Sequence, residues 1–175
     1  LRHYIENLPM DANDNNLISK NRYILTTDTT LLPLKEYITE WLEFYAHKVH
    51  QVKDVNFYIT QSWFNINRKD DHHHGHQHKN SIISGVFHLD DDMACLEFTT
   101  DEDMFELKLN IENHHLYNAR TFQFKTQANT LFLFPSNLKH SVAKSTSSQN
   151  RISLSFNTYV KGFTGSKHAC THLDL

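Results

Sequence analysis

The chain has 175 residues, 39% of them hydrophobic and 21% charged, with a formal net charge of −3. Its length and composition predict one soluble globular domain that buries a sizeable core without disulfide staples. No run of Lys or Arg is longer than two residues, which argues against nucleic acid or an anionic membrane as the main partner.

The cysteine content and the hydropathy indicate in which cellular compartment the protein is expected to work. Cys95 and Cys170 lie far apart, so the sequence has no disulfide framework and favours a reducing compartment. No apolar run is long enough to span a bilayer. The sequence begins at Leu1 rather than Met, and it carries no information on an upstream targeting segment.

The first fifty residues predict an arm followed by one helix. Residues 1–16 end in the turn-rich DANDNN and show no hydrophobic period, which indicates a surface arm. The apolar run at residues 23–25 predicts a strand or an extended segment. From Pro33 to His50 apolar residues recur at helical spacing, so we expect a helix packed on the outside of a sheet. The predicted buried stripe comprises Leu34, Tyr37, Ile38, Trp41, Leu42, Tyr45 and Val49.

From Val55 onward the hydrophobic period changes to two, which is typical of strands. The predicted strands lie at about 55–67, 80–89, 94–99, 104–111, 120–126, 130–134, 139–144 and 151–160. Eight short strands after one helix predict an all-β sandwich or barrel. The acidic run Asp90–Asp92 is interpreted as a solvated hairpin turn between two of them.

A histidine cluster stands just before the strand at 80–89. It comprises His72, His73, His74, His76 and His78. Two imidazoles two residues apart point to one face of an extended strand, and a third ligand from a distant strand completes an open metal site. Three pairs have this spacing, and proximity to the strand favours His76 and His78 over His72/His74 and His74/His76. The alternative is a His-rich surface loop without a specific metal.

The stretch at residues 131–157 is the natural partner of this cluster. His140 is followed eleven positions later by Arg151, and alternate residues from Arg151 to Asn157 share one polar face. A guanidinium fork and the hydroxyl of Ser153 on that face suit a carboxylate ligand. The alternative is a strand whose polar face meets water. The period of two places Ser84, Val86, His88, Arg151, Ser153 and Ser155 in a cavity, and Ile152, Leu154 and Phe156 against an outer layer.

These stretches together resemble Fe(II)/2-oxoglutarate-dependent oxygenases. More narrowly, they are similar to one uncharacterised family of that superfamily, found in bacteria and in phages of marine bacteria. The motifs that carry the resemblance are SWFN at 62–65, HQHKNSIISGV at 76–86, FPSNLKH at 134–140 and RISLSFN at 151–157.

The resemblance implies a double-stranded β-helix, or jelly roll, with Fe(II) bound inside it by His76, His78 and His140. It implies that Arg151 and Ser153 hold the distal carboxylate of the cosubstrate 2-oxoglutarate. Relatives place a polar contact to 2-oxoglutarate at the position of Asn65 and a tyrosine at that of His88. These two residues are therefore further candidates for cosubstrate binding.

One departure from the superfamily concerns the metal. The middle ligand is usually Asp or Glu, whereas this sequence has His78, so three neutral imidazoles would bind the ion. Three-histidine sites also occur in cupin dioxygenases and zinc enzymes. Asp70 and Asp71 are near enough in sequence to be considered as an added carboxylate.

We therefore expect a 2-oxoglutarate-dependent hydroxylase that uses O2 and acts on a protein side chain such as proline, or on a small molecule. A cupin-like dioxygenase without 2-oxoglutarate and a non-catalytic jelly-roll or virion component remain alternatives. The expected organisation is a single domain, 1–175, with an arm and packing helix at 1–50, a β core at 51–160 and a tail at 161–175. We expect a monomer or homodimer in the cytoplasm of a bacterium or a phage-infected host.

Overall fold

The structure is a computed structural model that describes residues 1–100, 107, 110–145 and 147–175. Most of the strand predicted at 104–111 lies outside the described residues. In the part of the chain that is described, no helix is both long and apolar enough to cross a membrane.

The N-terminal segment is structured, and its prediction as a surface arm was wrong. A short helix α1 (Arg2–Glu6) precedes a hairpin of β1 (Met10–Asn13) and β2 (Asn16–Ser19). Ile5 is fully buried in the main core, and β2 pairs with the long strand that follows the helices. Such short elements bury too few side chains to produce a hydrophobic period that can be recognised from sequence.

Residues 24–49 form a helical region that is interrupted at Asp28, whose backbone is extended. The segment predicted as extended is instead the helix α2 (Ile24–Thr27), with Leu25 buried, and a 3₁₀ turn (Thr29–Leu31) leads into α3 (Leu32–Glu43). The last turn, Phe44–Val49, is π-helical. The predicted helix is confirmed, but its stripe is only partly buried. Buried positions include Ile38, Leu42 and Ala46, whereas Tyr37, Trp41 and Val49 are 40%, 44% and 55% exposed.

Two antiparallel sheets form the body of the protein, as the predicted jelly roll requires. The remaining strands are β3 (Val55–Asn67), β4 (His73–His76), β5 (Ile83–His88), β6 (Asp92–Thr99), β7 (Thr121–Thr126), β8 (Thr130–Pro135), β9 (Lys139–Val142), β10 (Arg151–Thr164) and β11 (Leu173–Asp174). The larger sheet has the order β1-β2-β3-β10-β5-β8, with β11 paired to β10, and the smaller has the order β4-β9-β6-β7. This architecture is the double-stranded β-helix.

Successive side chains of β10 point alternately to its two faces, and the two faces border different parts of the interior. Ile152, Leu154 and Phe156 are at most 1% exposed and pack in the main core with residues of α1, α2 and α3. Burial of each such side chain contributes about 1.5–3 kcal/mol. Gly85 on β5 lies directly against the Phe156 ring, where an added Cβ would overlap the ring. The other face of β10 is therefore left for a polar cavity.

The acidic run differs from its prediction. Residues 89–91 connect β5 of the larger sheet to β6 of the smaller one, so Asp90 does not lie in a hairpin. Its carboxylate accepts a hydrogen bond from the backbone N–H of Ile152 at 2.8 Å and pairs with Arg2. The tail beyond residue 164 returns to the larger sheet through β11.

Candidate active site

A cavity of about 420 Å³ lies between the two sheets. The side chains predicted to point inward all line it, namely Ser84, Val86, His88, Arg151, Ser153 and Ser155. The smaller sheet and its edges contribute His76, His78 and His140 to the same lining. The two polar stretches recognised in the sequence therefore border one space.

Three imidazoles converge on this cavity. His76 of β4 lies opposite His140 of β9 in the antiparallel register. Nitrogen atoms of His76, His78 and His140 all lie within 4.8 Å of one another, a spacing that suits a common metal ion. Nε2 of His78 is 3.3 Å from Nε2 of His140.

Backbone contacts hold two of the three rings with Nε2 directed inward. Nδ1 of His76 donates to the carbonyl of His74, and Nδ1 of His140 donates to the carbonyl of Leu138, each at 2.9 Å. A ring nitrogen that donates to a carbonyl carries the proton, so the other nitrogen keeps its lone pair. This arrangement orients histidine ligands in many metal sites.

Burial keeps these rings neutral. Desolvation lowers the pKa of His78 and of His140 to about 4, and the pKa of His76 is lowered for the same reason. At neutral pH each imidazole therefore offers a lone pair rather than a positive charge. Neutral imidazoles are the form that binds divalent transition metals.

One detail of the predicted His76-x-His78 geometry was wrong. We expected both residues on one strand, but β4 ends at His76, and His78 lies beyond it. The backbone N–H of His78 donates to the carbonyl of Ser136 at 2.9 Å, which holds the residue beside β8. The third imidazole therefore reaches the cavity through a loop contact rather than through strand alternation.

The other candidate ligands are placed differently. His74 is exposed, and its carbonyl supports His76. Asp71 is engaged in a turn, where its carboxylate accepts the N–H of Arg68 at 2.7 Å. Neither Asp70 nor Asp71 lines the cavity. The carboxylate considered from sequence is thus directed elsewhere.

The carboxylate-binding candidates surround the start of β10. Arg151 is 2% exposed, and Ser153 lies between Asn65 of β3 and His88 of β5 in the sheet register. Asn65 lines the cavity, and its Nδ2 donates to Ser155 at 2.9 Å. A buried guanidinium beside neutral polar groups is an environment that attracts a carboxylate.

Two buried residues in this region carry polar atoms that lack a hydrogen-bond partner among the described residues. They are both ring nitrogens of His88 and the amide Nδ2 of Asn67. Burial and the nearby Arg151 cation lower the pKa of His88 to about 3, so the ring is neutral. Buried donors without partners are costly. A carboxylate ligand in the cavity would accept from the Asn67 amide and from the one His88 nitrogen that carries a proton.

Asn67 and Asn157 are residues to which the sequence interpretation assigned no role. Asn67 lies opposite Arg151 in the register, and Nδ2 of Asn157 is 3.3 Å from Nδ1 of His78. The signal for Asn67 was its position two residues beyond Asn65 on the same strand. The corresponding signal for Asn157 was its place on the polar face of β10, but a shared face does not identify the partner.

Both the sequence and the fold are similar to those of known proteins. Residues 61–157, more than half of the chain, match a family model described as "Putative 2OG-Fe(II) oxygenase". A search of curated protein sequences found none that matches.

Several solved structures share the fold at low identity. A 2OG-Fe(II) oxygenase family oxidoreductase from Burkholderia pseudomallei is 14% identical over 90% of this chain and 74% of its own, with a TM-score of 0.63. The epimerase SnoN in complex with Fe3+, alpha ketoglutarate and nogalamycin RO is 11% identical over 92% and 73%, with a TM-score of 0.63. A Pseudomonas putida prolyl-4-hydroxylase is 13% identical over 82% and 69%, with a TM-score of 0.53.

Proposed function

Because the chain belongs to the 2OG-Fe(II) oxygenase family, we propose that it is an Fe(II)- and 2-oxoglutarate-dependent hydroxylase. The observation that supports this most directly is the presence of three convergent imidazoles and a buried arginine in one cavity. A histidine cluster alone, or a buried arginine alone, suits many kinds of site. Together in one cavity they suit the metal ion and the carboxylate of the cosubstrate, both of which a 2-oxoglutarate-dependent reaction needs.

His76, His78 and His140 would hold the metal ion. Their nitrogens are neutral at neutral pH, close together, and in two cases oriented by a backbone carbonyl. Phe134 packs edge-on against the His140 ring at 4.7 Å between centroids, which shields this ligand from water. Three neutral ligands leave the ion with its full charge, so an anionic cosubstrate would be bound more strongly than at a site with a carboxylate ligand.

Arg151 and Ser153 would bind the distal carboxylate of 2-oxoglutarate. The guanidinium offers two parallel donors, and the buried site raises their strength relative to water. Asn65 and His88 are further cosubstrate contacts in this proposal. His88 is neutral and able to donate from either ring nitrogen, and the Nδ2 donor of Asn67 adds a group that the sequence did not suggest.

When bound together, Fe(II) and 2-oxoglutarate supply an oxidant from O2, with release of succinate and CO2. The residues of this chain supply position, polarity and exclusion of water. Among the described residues that line the cavity, Arg151 carries the one permanent charge, and several amide side chains and Trp63 also line it. The substrate group that enters is therefore uncharged in this proposal, such as a proline in a peptide chain or a neutral part of a small molecule.

We propose hydroxylation as the reaction. The shared fold alone does not distinguish it from other reactions, because SnoN is an epimerase and the P. putida protein is a prolyl-4-hydroxylase.

We place the reaction in the cytoplasm of a bacterium or a phage-infected host. The chain has two cysteines, Cys95 and Cys170, which lie far apart in sequence and make no disulfide framework, and this supports a reducing compartment. A monomer or homodimer remains part of the proposal.

The test is anaerobic titration of 2-oxoglutarate into the Fe(II)-loaded protein, followed by admission of O2. We expect a visible metal-to-ligand absorption band that saturates with 2-oxoglutarate, and then succinate formed in step with the O2 consumed. Absence of the band at millimolar 2-oxoglutarate would overturn the proposal.

The three histidine ligands also favour a second function, that of a cupin-like dioxygenase. Three histidines without a carboxylate are also the ligands of cupin-like dioxygenases that need no 2-oxoglutarate. The same experiment separates the two functions. O2 uptake that depends on iron and on a substrate, but yields no succinate, would favour the cupin-like reaction.

A further inference from the structure

An unbroken line of hydrogen bonds runs from the His78 ring into the protein. Nδ1 of His78 is 3.3 Å from Nδ2 of Asn157, and Oδ1 of Asn157 accepts from the Ser84 hydroxyl at 2.8 Å. Ser84 contacts the hydroxyl of Ser136 at 2.8 Å, and Ser136 contacts that of Ser81 at 2.7 Å. Asn157, Ser84 and Ser136 are 9%, 2% and 1% exposed. Water therefore has little access to the middle of the line, whereas His78 and Ser81 at its ends are half-buried.

The direction of these bonds defines one tautomer of His78. An amide nitrogen donates, so Asn157 as placed donates to Nδ1 of His78, and the ring proton then sits on Nε2. That proton points to Nε2 of His140, 3.3 Å away, which is an acceptor because Nδ1 of His140 donates to Leu138. The arrangement is self-consistent for a site without an ion.

A metal bound to Nε2 of His78 requires the opposite arrangement. Nε2 must then carry a lone pair, and the proton moves to Nδ1, which needs an acceptor. Rotation of the Asn157 amide by a half turn brings Oδ1 to the ring and Nδ2 to Ser84. The amide oxygen and nitrogen are similar in size, so this rotation needs no extra space.

The serines accommodate that reversal without loss of a hydrogen bond. A hydroxyl both donates and accepts. Ser84 would accept from Asn157 and donate to Ser136, and Ser136 would donate to Ser81. In the present direction the Ser81 hydroxyl donates to Ser136 and accepts from the backbone N–H of Thr158 at 3.3 Å. In the reverse direction it accepts from Ser136 and donates to the carbonyl of Thr158 at 3.2 Å. Each hydroxyl therefore donates one bond and accepts one in both directions.

We propose that Asn157 is a positioning residue for His78, and that the line Asn157–Ser84–Ser136–Ser81 reverses its hydrogen bonds when the metal binds. This inference rests on the proposed function, because it assumes that His78 is a ligand. It explains why the third ligand is held by a neutral amide that can both donate and accept. An aspartate at this position would lock His78 in the ligand tautomer, because a carboxylate only accepts.

The test compares metal affinity in three variants, measured by titration of Co(II) into the full chain against a competing chelator. Asn157→Leu removes both amide groups, and we expect affinity to fall about 10- to 100-fold. Asn157→Asp restores an acceptor, and we expect affinity equal to or above wild type. Thr60→Ala is the matched control, since Thr60 donates to the backbone carbonyl of Asn157 at 3.1 Å and does not contact the His78 ring. We expect it to leave affinity unchanged.

A second measurement detects the tautomer itself. Long-range ¹H–¹⁵N correlation spectra of ¹⁵N-histidine protein, with and without Zn(II), report which His78 nitrogen carries the proton. We expect Nε2–H without metal and Nδ1–H with metal in wild type, and Nδ1–H in both states in Asn157→Asp. This readout does not depend on whether Asn157→Leu folds.

The failures are distinguishable. Wild type that binds no Co(II) or Zn(II) would remove the premise and the proposed function together. Wild type that binds metal, with Asn157→Leu folded and equal in affinity, or with the same His78 tautomer in both states, would overturn this inference alone.

Discussion

His76 and His140 are direct cross-strand partners, with ring centroids 4.3 Å apart. The pairing depends on a register shift in β4, since His73 lies opposite Val142 and His76 lies opposite His140. The two pairs are three residues apart on β4 but two residues apart on β9, so β4 contains one extra residue, as in a β-bulge. The extra residue breaks the strand alternation that made histidine pairs two residues apart candidates for one face. As a result His73, His74 and His76 all line the cavity, although they are not two residues apart throughout.

The proposed metal site predicts that alanine substitutions of different histidines have different effects on metal affinity. His76→Ala and His140→Ala should each lower Co(II) affinity more than about 100-fold, because loss of a ligand exceeds the usual cost of losing a supporting contact. His72→Ala and His74→Ala should retain affinity, since the His74 group that supports His76 is its backbone carbonyl. Metal content and thermal shift are the measurements. Loss of metal in the His72/His74 variants with retention in His76→Ala would contradict the assignment.

The cosubstrate site predicts a strong effect of Arg151→Lys. Lysine keeps the charge but not the planar fork, so 2-oxoglutarate binding should weaken by about thirtyfold or more, on the scale of 2–5 kcal/mol for a buried ionic pair. Metal affinity should be unchanged. Anaerobic titration with Fe(II), followed by heat or by the absorption band, measures both.

Ser153→Ala provides a graded comparison at the same site. It removes one hydrogen bond to a charged group, worth about 1.5–3 kcal/mol, and should cost less affinity than Arg151→Lys. A larger loss in Ser153→Ala than in Arg151→Lys would show that the hydroxyl, rather than the guanidinium, dominates carboxylate binding.

The buried His88 predicts a pH dependence of stability. Its folded pKa of about 3 lies below the ordinary value of 6.5. Between these values the unfolded chain binds a proton that the folded chain does not. The free energy of unfolding should therefore fall as pH falls through this window, by up to about 1.4 kcal/mol per pH unit from this residue. His88→Gln should have a shallower dependence than wild type.

Urea unfolding at pH 5 and pH 7, with a chelator present in all samples, measures this difference. The other buried histidines titrate in both proteins, and their contribution cancels when the two slopes are subtracted. Equal slopes in wild type and His88→Gln would show that His88 binds a proton equally in the folded and unfolded states, so that burial does not lower its pKa.

The contact between Gly85 and Phe156 predicts an overpacked core in Gly85→Ala. The added Cβ would overlap a ring that is 1% exposed, and the expected cost is about 1–3 kcal/mol in the free energy of unfolding. Gly75→Ala is the control, because its nearest neighbour is the Lys139 side chain, whose end can move, and the expected change is within about 0.5 kcal/mol. Chemical denaturation of both variants tests the difference. Equal stability of Gly85→Ala and wild type would show that the ring can move at no cost.

Much of the β core could be predicted from local patterns. The strand predicted at 55–67 has the bounds of β3, and the polar face of β10 lines the cavity as its alternation indicated. The helix from residue 33 was also evident from its period. These features depend on which side chains share a face of one helix or strand. The period of that helix or strand sets the face, so residues close in sequence are enough to predict it.

Other features depended on contacts between distant segments. The burial of Ile5 requires the outer face of the larger sheet. Trp41 is 44% exposed and lines a groove with Leu131 and Leu133 of β8, the edge strand of that sheet. A helical period identifies a stripe but not the width of the surface that covers it.

The candidate site shows the same division. The sequence by itself determined the residue types, three histidines and an arginine with serine, and the polar face that Asn157 shares with Arg151. Only the tertiary structure decided that β4 carries a register shift, that His78 is held by Ser136 beyond the strand end, and that Asn157 meets the His78 ring. Register and hydrogen-bond partners are set by pairing between strands more than sixty residues apart, and no local period encodes that pairing.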